Sequence, residues 1–293
     1  MANPLINKLV IFGVGLIGGS FALALRQAGA AGEIVGVGRT PGNLRAALER
    51  GVIDVAAPDG VSALKGADAV LLAMPVGQMG DVMAQIAPHL EPQTVVTDAG
   101  STKGDVVRLA HRHLAAHLAN FVPAHPIAGA EQSGVGAAKA DLFRDRNVVL
   151  TPLAETDGKA VQRVRALWEA CGAAVREMTP ESHDGIFAAV SHLPHLLAFA
   201  LVDEIARRPD AGELFRYAAS GFRDFTRIAG SSPEMWRDIC LANRDALLSE
   251  LDAYRDQVAR LRELVANSDG AALEALFAHA REARQQWLMN RQD

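Results

Sequence analysis

Short runs of β-branched and other apolar residues alternate with amphipathic stretches through the first half of the chain. Leu9–Phe12, Ile34–Val37, Ala69–Ala73, Val95–Thr97, Phe121–Val122 and Val148–Leu150 stand apart from segments whose apolar residues recur at helical spacing. That alternation predicts a mostly parallel sheet with helices on both faces. Helices are expected over Ser20–Ala28 and Leu44–Arg50, stopped by Gly29 and Gly51, and around Val161, Val164, Leu167 and Trp168 before Gly172, because glycine readily takes the left-handed conformation that closes a helix. A last strand, Ala174–Met178, runs into Thr179-Pro180-Glu181, where Thr can cap a helix and Pro suits its first turn. Beyond Pro180 the strand signal disappears. Leu247, Leu248, Leu251, Tyr254, Val258, Leu261 and Val265 trace a long amphipathic helix, and another runs from Ala271 to about Trp287 after the break Ser268-Asp269-Gly270. The pattern divides the chain into an α/β parallel-sheet domain, residues 1–179, and an all-helical domain, residues 180–293. None of these last helices can bury its apolar stripe alone, so a homodimer is expected.

Composition narrows the function classes. With 293 residues, 49% hydrophobic and 22% charged, the chain can fill the cores of two domains. The formal charge is −5 and no basic block is present, which argues against a nucleic-acid partner. Two cysteines, Cys171 and Cys240, make neither a disulfide framework nor a metal knuckle, as suits a reducing cytoplasm. The first residues show no export signal, and no apolar run approaches the ~18 residues of a membrane span; no membrane association is expected. His111, His113 and His117 read as a solvated helix face rather than a metal site. After Trp287 there is no room for a third, ligand-sensing module, so inhibition by a product is expected only at the active site.

Gly13-Val14-Gly15-Leu16-Ile17-Gly18 follows the first strand and opens into the first helix. In that setting GxGxxG is a dinucleotide-binding signature: Gly13 for the tight turn, Gly15 for close approach of a pyrophosphate, Gly18 for helix–strand packing, and the helix N-terminus for the negative charge. It makes the first domain Rossmann-type. The second strand ends Gly38-Arg39-Thr40. It lacks the carboxylate that accepts the ribose hydroxyls of NAD, and offers a cation and a hydroxyl where a 2′-phosphate lies. NADP is therefore expected, with NAD left open.

Four polar segments sit at the ends of apolar elements: Asp98-Ala99-Gly100-Ser101-Thr102-Lys103-Gly104, His125-Pro126-Ile127-Ala128-Gly129-Ala130-Glu131, Ser191-His192-Leu193-Pro194-His195, and Gly221 to Ala229, GFRDFTRIA. With the glycine loop, and over roughly residues 8–245, they resemble the prephenate/arogenate dehydrogenase family of tyrosine biosynthesis. The resemblance implies a Rossmann domain joined to a helical dimerisation domain. It also implies oxidative decarboxylation of prephenate to 4-hydroxyphenylpyruvate, or of arogenate to tyrosine, with hydride transfer to the dinucleotide.

Carried over residue by residue, the resemblance makes His125 the acceptor of the 4-hydroxyl proton and sets Ser101 beside it. Arg227 is the clamp on a substrate carboxylate and His195 the second histidine facing the substrate, with Glu131 and Trp236 as further substrate contacts. The expected cofactor contacts are Gly13, Gly15, Leu16, Ile17, Gly18, Arg39, Thr40, Pro75 and Ser101. Simpler roles stay open: Ser101 as a helix N-cap, Arg227 in an ion pair with Asp224, His192 as a packing residue, and Lys103 near the cofactor or capping its helix. A β-hydroxyacid or hydroxyacyl dehydrogenase shares this architecture but leaves HPIAGAE and FRDFTRIA unexplained, and a non-catalytic dinucleotide sensor would not need His125.

Overall fold

The structure is a computed structural model that describes residues 3–129 and 132–290. The chain divides into two compact units, residues 1–244 and 245–293. In the first, β1 (Ile6–Phe12), β2 (Ala31–Val37), β3 (Val55–Ala56), β4 (Ala69–Leu72), β5 (Val95–Asp98) and β6 (Phe121–Val122) form one sheet in the order β3-β2-β1-β4-β5-β6. Every pairing in it is parallel. The chain leaves β3 at one edge and re-enters at β4 on the other side of β1, and at such a switch the strand ends open a crevice. The connecting helices are α1 (Leu16–Gln27), α2 (Pro41–Glu49), α3 (Gly60–Leu64), α4 (Met79–Ile86), α5 (Gly104–His113) and α6 (Gly158–Ala170).

The strands read as continuous apolar runs because both faces are covered. Leu9, Ile11 and Ile34 pack with Phe21, Leu25 and Trp168 on one side, while Val10, Val35, Val70 and Leu72 pack with Met79, Met83 and Val106 on the other. Two of the expected strands belong to a second sheet. β7 (Ala124–Pro126) pairs antiparallel with β8 (Asn147–Leu150), and β8 pairs in parallel with β9 (Ala174–Glu177). The three-residue strand β7 carries no sequence signal of its own, since Pro126 has no N–H for a ladder and belongs at an edge.

Thr179 caps α7 (Pro180–Phe187), its hydroxyl accepting the Ser182 N–H at 3.2 Å. A π-helical turn, Ala188–His192, joins α7 to α8 (Leu193–Ala206). The wider turn accommodates the Pro194 ring, which in a regular helix would crowd the carbonyl four residues back. One expectation is corrected here. Pro180–Ala206 is a continuous helical stretch of 27 residues, by length and composition alone sufficient to cross a membrane. No unbroken apolar run reveals it because His183, Asp184, Ser191 and His192 interrupt the pattern, and within this unit the buried ones are engaged in polar contacts. α9 (Ala211–Tyr217), α10 (Ser220–Thr226) and α11 (Pro233–Ala242) complete the first unit.

The second unit holds α12 (Arg244–Ala266) beyond its first residue and α13 (Gly270–Met289). The break between them has Ser268 at φ 53° and Asp269 accepting the Ala272 N–H at 3.0 Å. Leu248, Tyr254, Val258 and Val265 on α12, and Phe277 and Met289 on α13, are exposed.

Candidate active site

The glycine loop does three different jobs. Gly13 lies at φ +92°, and a Cβ there would sit 2.7 Å from the Ala73 carbonyl oxygen. A Cβ on Gly18 would meet the Gly13 carbonyl oxygen at 2.3 Å. Around Gly15 a Cβ would meet nothing within 4 Å, which is open space above the start of α1. Gly15 is the N-cap of that helix and supplies no side chain to its amides, so the N–H groups of the first turn, Leu16, Ile17 and Gly18, are left for a ligand. The adjoining cleft, about 690 Å³, is bordered by Gly13, Gly15, Arg39, Thr40 and Pro75. Leu16, Ile17 and Gly18 are not among its lining residues. Arg39 is exposed at the end of β2 and has no ion pair among the described residues. A dinucleotide therefore fits the donors present here, and no carboxylate at the end of β2 opposes a 2′-phosphate.

Beyond the C-terminal end of β5 the chemistry changes from backbone to side chains. Asp98 and Lys103 form a fully buried ion pair. Asp98 also accepts the Ala124 N–H at 3.1 Å, while Lys103 donates to the Ala124 carbonyl at 2.8 Å. Both polar groups of Ala124 are thereby held, just before His125. The hydrogen bonds offset the cost of burying the two charges. The Lys103 ammonium is held by Asp98 and the Ala124 carbonyl, and although Lys103 is the N-cap residue of α5, its side chain makes no capping hydrogen bond.

His125 stands on β7 opposite Val149, half-buried, with its ring edge-on to Phe187 at a centroid distance of 5.0 Å. Its Nδ1 is 2.8 Å from His183 Nε2. The buried His183 in turn sets Nδ1 2.8 Å from Asp184 Oδ1. Asp184 accepts the N–H groups of Lys103 and Gly104, both at 2.8 Å. It thus serves the N-terminus of α5, the role left open for Ser101. Asn243 donates to the Asp184 carbonyl at 2.8 Å and lies 3.1 Å from His192 Nδ1.

The surroundings of these histidines disfavour their charged forms. Burial, then the neighbouring His183, Lys103 and His192, push the His125 pKa well below the usual histidine value. Burial lowers His183 as well, against the pull of Asp184, and takes His192 down to about 4. At Asp184 burial acts upward, but the hydrogen bonds from His183 and the two amides outweigh it, and the carboxyl stays below its ordinary pKa.

His195 lies flat on Trp236, centroids 3.7 Å apart and planes 19° from parallel. Its Nδ1 is 2.8 Å from the Ser191 carbonyl. After burial, the Arg227 charge is among the causes that lower its pKa, so Arg227 stands near it. Trp236 meets His192 edge-on at 6.0 Å, and the Ser101 backbone lies against His192. Asp224 pairs with its neighbour Arg223, N to O 3.5 Å. Glu131 lies outside the described residues. The sequence reading missed His183, Asp184 and Asn243. The available signal was a His-Asp pair in the opening turns of an otherwise apolar helix, where two buried polar residues need a purpose.

Residues 21–177 match the family model described as prephenate dehydrogenase, nucleotide-binding domain. Residues 179–279 match prephenate dehydrogenase, dimerization domain. The two models therefore meet near residue 178, whereas compactness divides the chain at 244. Prephenate dehydrogenase of Bacillus subtilis is 39% identical over 96% of this chain and 76% of its own length. Cyclohexadienyl dehydrogenase of Zymomonas mobilis is 39% identical over 76% of each. Among solved structures, prephenate dehydrogenase from Aquifex aeolicus in complex with hydroxyphenyl propionate and NAD+ superposes with a TM-score of 0.88 at 37% identity, covering 97% of this chain and 98% of that one. On these grounds the chain belongs to the prephenate/arogenate dehydrogenase family of oxidoreductases.

Proposed function

We propose that the chain oxidatively decarboxylates prephenate or arogenate, with NADP preferred over NAD, as a cytoplasmic homodimer. The observation that carries this reading is His125, an imidazole with Nδ1 engaged by His183 and set just beyond the ends of the parallel strands, where burial pushes its pKa well below the usual histidine value. When bound, the nicotinamide supplies the hydride acceptor. His125 takes the 4-hydroxyl proton as the C4 hydride leaves. The ring carboxylate departs as carbon dioxide, its bonding electrons complete the aromatic ring, and His125 returns the proton to the resulting phenolate oxygen. No net proton is released, so one histidine suffices.

Arg227 holds a substrate carboxylate through charge-assisted hydrogen bonds. The stack on Trp236 and the Ser191 carbonyl restrict the His195 ring to one orientation, which supports a substrate contact through Nε2. Ser101 is proposed to bond the substrate oxygen or the nicotinamide, and Glu131 and Trp236 to complete the substrate site. Arg39 and Thr40 are proposed to take the 2′-phosphate of NADP. The relative from Aquifex aeolicus was solved with NAD+, so the preference is a property to measure in this chain. Homodimer formation is supported by the description of the model matched over 179–279 and by the exposed apolar residues of α12 and α13.

The test is an initial-rate assay of reduced-cofactor absorbance, with prephenate and arogenate each paired with NADP and NAD. Turnover with NADP and either substrate supports the reading, and the faster one identifies the specificity. Silence in all four pairs while NADP still binds removes His125 and Arg227 from catalysis.

A further inference from the structure

We infer that His183 and Asp184 are positioning residues that set the tautomer of His125, leaving its Nε2 as the proton acceptor. The inference rests on the reading of His125 as the base. It starts at the backbone amides of Lys103 and Gly104, which can only donate, and both point at the Asp184 carboxylate. The carboxylate is therefore an acceptor, and the same Oδ1 that takes the Lys103 N–H faces His183 Nδ1 at 2.8 Å. His183 Nδ1 must then carry a hydrogen. In neutral His183 that leaves Nε2 bare, as an acceptor. His125 Nδ1, 2.8 Å away, must carry a hydrogen in its turn, because two lone pairs cannot face each other at that distance. Its Nε2 is then the one ring nitrogen with a free lone pair.

The chain also suits the charged state. When His125 is protonated, its Nδ1–H remains donated to His183, and His183 remains donated to ionised Asp184, so no partner has to change. The other groups facing the two rings act in both directions. Lys103 and His192 oppose protonation of His125, as does any positive charge on His183, whereas Asp184 and Asp98 favour the charged form of His183. Phe187, from α7, contributes only an apolar wall against both rings. The base is thus kept neutral at rest while its protonated form has a continuous line of acceptors ending in an anion.

The direct test is imidazole nitrogen-15 NMR of the full-length, unliganded protein at pH 8, with the His125 signals identified by their loss in His125→Asn. The expected wild-type result is a protonated Nδ1 and a bare Nε2 on His125; a protonated Nε2 overturns the inference. His183→Phe removes the acceptor and should leave His125 in a mixture of tautomers, with kcat reduced about 100-fold or more and KM within about threefold. His183→Gln, whose amide oxygen can still accept from Nδ1, should restore the single tautomer and most of that kcat. An unchanged tautomer and an unchanged kcat in His183→Phe likewise overturn the inference. If His125→Asn itself keeps full turnover, the assignment of the base fails instead, and the nitrogen spectrum still reports on the chain from Asp184.

Discussion

The two halves of the site are built by different means. The nucleotide cleft turns on one short loop, Gly13 to Gly18, where Gly13 and Gly18 leave no room for a side chain, and it is completed by residues that follow β2, β3 and β4. The histidine centre is assembled from side chains of four distant places: Asp98 to Lys103, His125, His183 to His195, and Arg227 to Asn243. A local device tolerates change elsewhere but no added atom at Gly13 or Gly18. An assembled device tolerates small changes in shape but depends on every partner reaching its place.

Replacing His125 by Asn should separate the halves most sharply. Turnover should fall by about 10²–10⁴-fold, the usual contribution of a positioned acid–base group, while NADP affinity measured by fluorescence titration stays within a few-fold of wild type. Equal loss of both would show that the two regions are not independent. The converse change is Gly13→Val, which combines a strained φ of +92° with a Cβ 2.7 Å from a carbonyl oxygen. NADP binding should weaken by well over about tenfold, or ~1.4 kcal/mol, and the His125 tautomer should be unaffected.

Acid should attack the assembled half first. His125, His183 and His192 all have folded pKa values below that of an unfolded histidine. Below the unfolded value the unfolded chain binds more protons, so stability is lost as pH falls below about 6.5 and continues to fall toward each folded pKa. With His192 held at about 4, that residue alone costs up to about 3 kcal/mol by pH 4. Urea unfolding at pH 8, 6 and 5 measures the decline, and His192→Gln should flatten it. A stability that is level over this range would mean that the histidines are not buried neutral.

The smallest effect is expected at the cleft's rim. Arg39→Ala should weaken NADP by about 1 kcal/mol, as for an exposed charge pair, and leave NAD nearly unchanged. An equal loss for both cofactors would assign Arg39 to something other than the 2′-phosphate.

Legibility followed the same division. The parallel strands, the glycine loop, the Thr179 cap and the break at Ser268 to Gly270 were readable because each depends on neighbours in sequence. The second sheet was not, since β7 is three residues long and is recruited by β8. Asp184 was invisible for a similar reason: it reaches the amide of Lys103 across 81 positions, and no local pattern marks a carboxylate that will serve another segment's helix. Lys103 illustrates the same limit, its charge being neutralised by Asp98 only once the turn after β5 has closed.

By itself the sequence determined the alternation of strands and helices and the dinucleotide loop, because propensity, patterning and glycine's conformational range are properties of short segments, while His125 and His195 were marked by the resemblance to a family. Tertiary structure alone decided the second sheet and the course of Asp184 to α5. It also decided which nitrogen of His125 is engaged. Those outcomes depend on burial and on hydrogen bonds between distant residues, and the free energy of either exists only when the chain has brought them together.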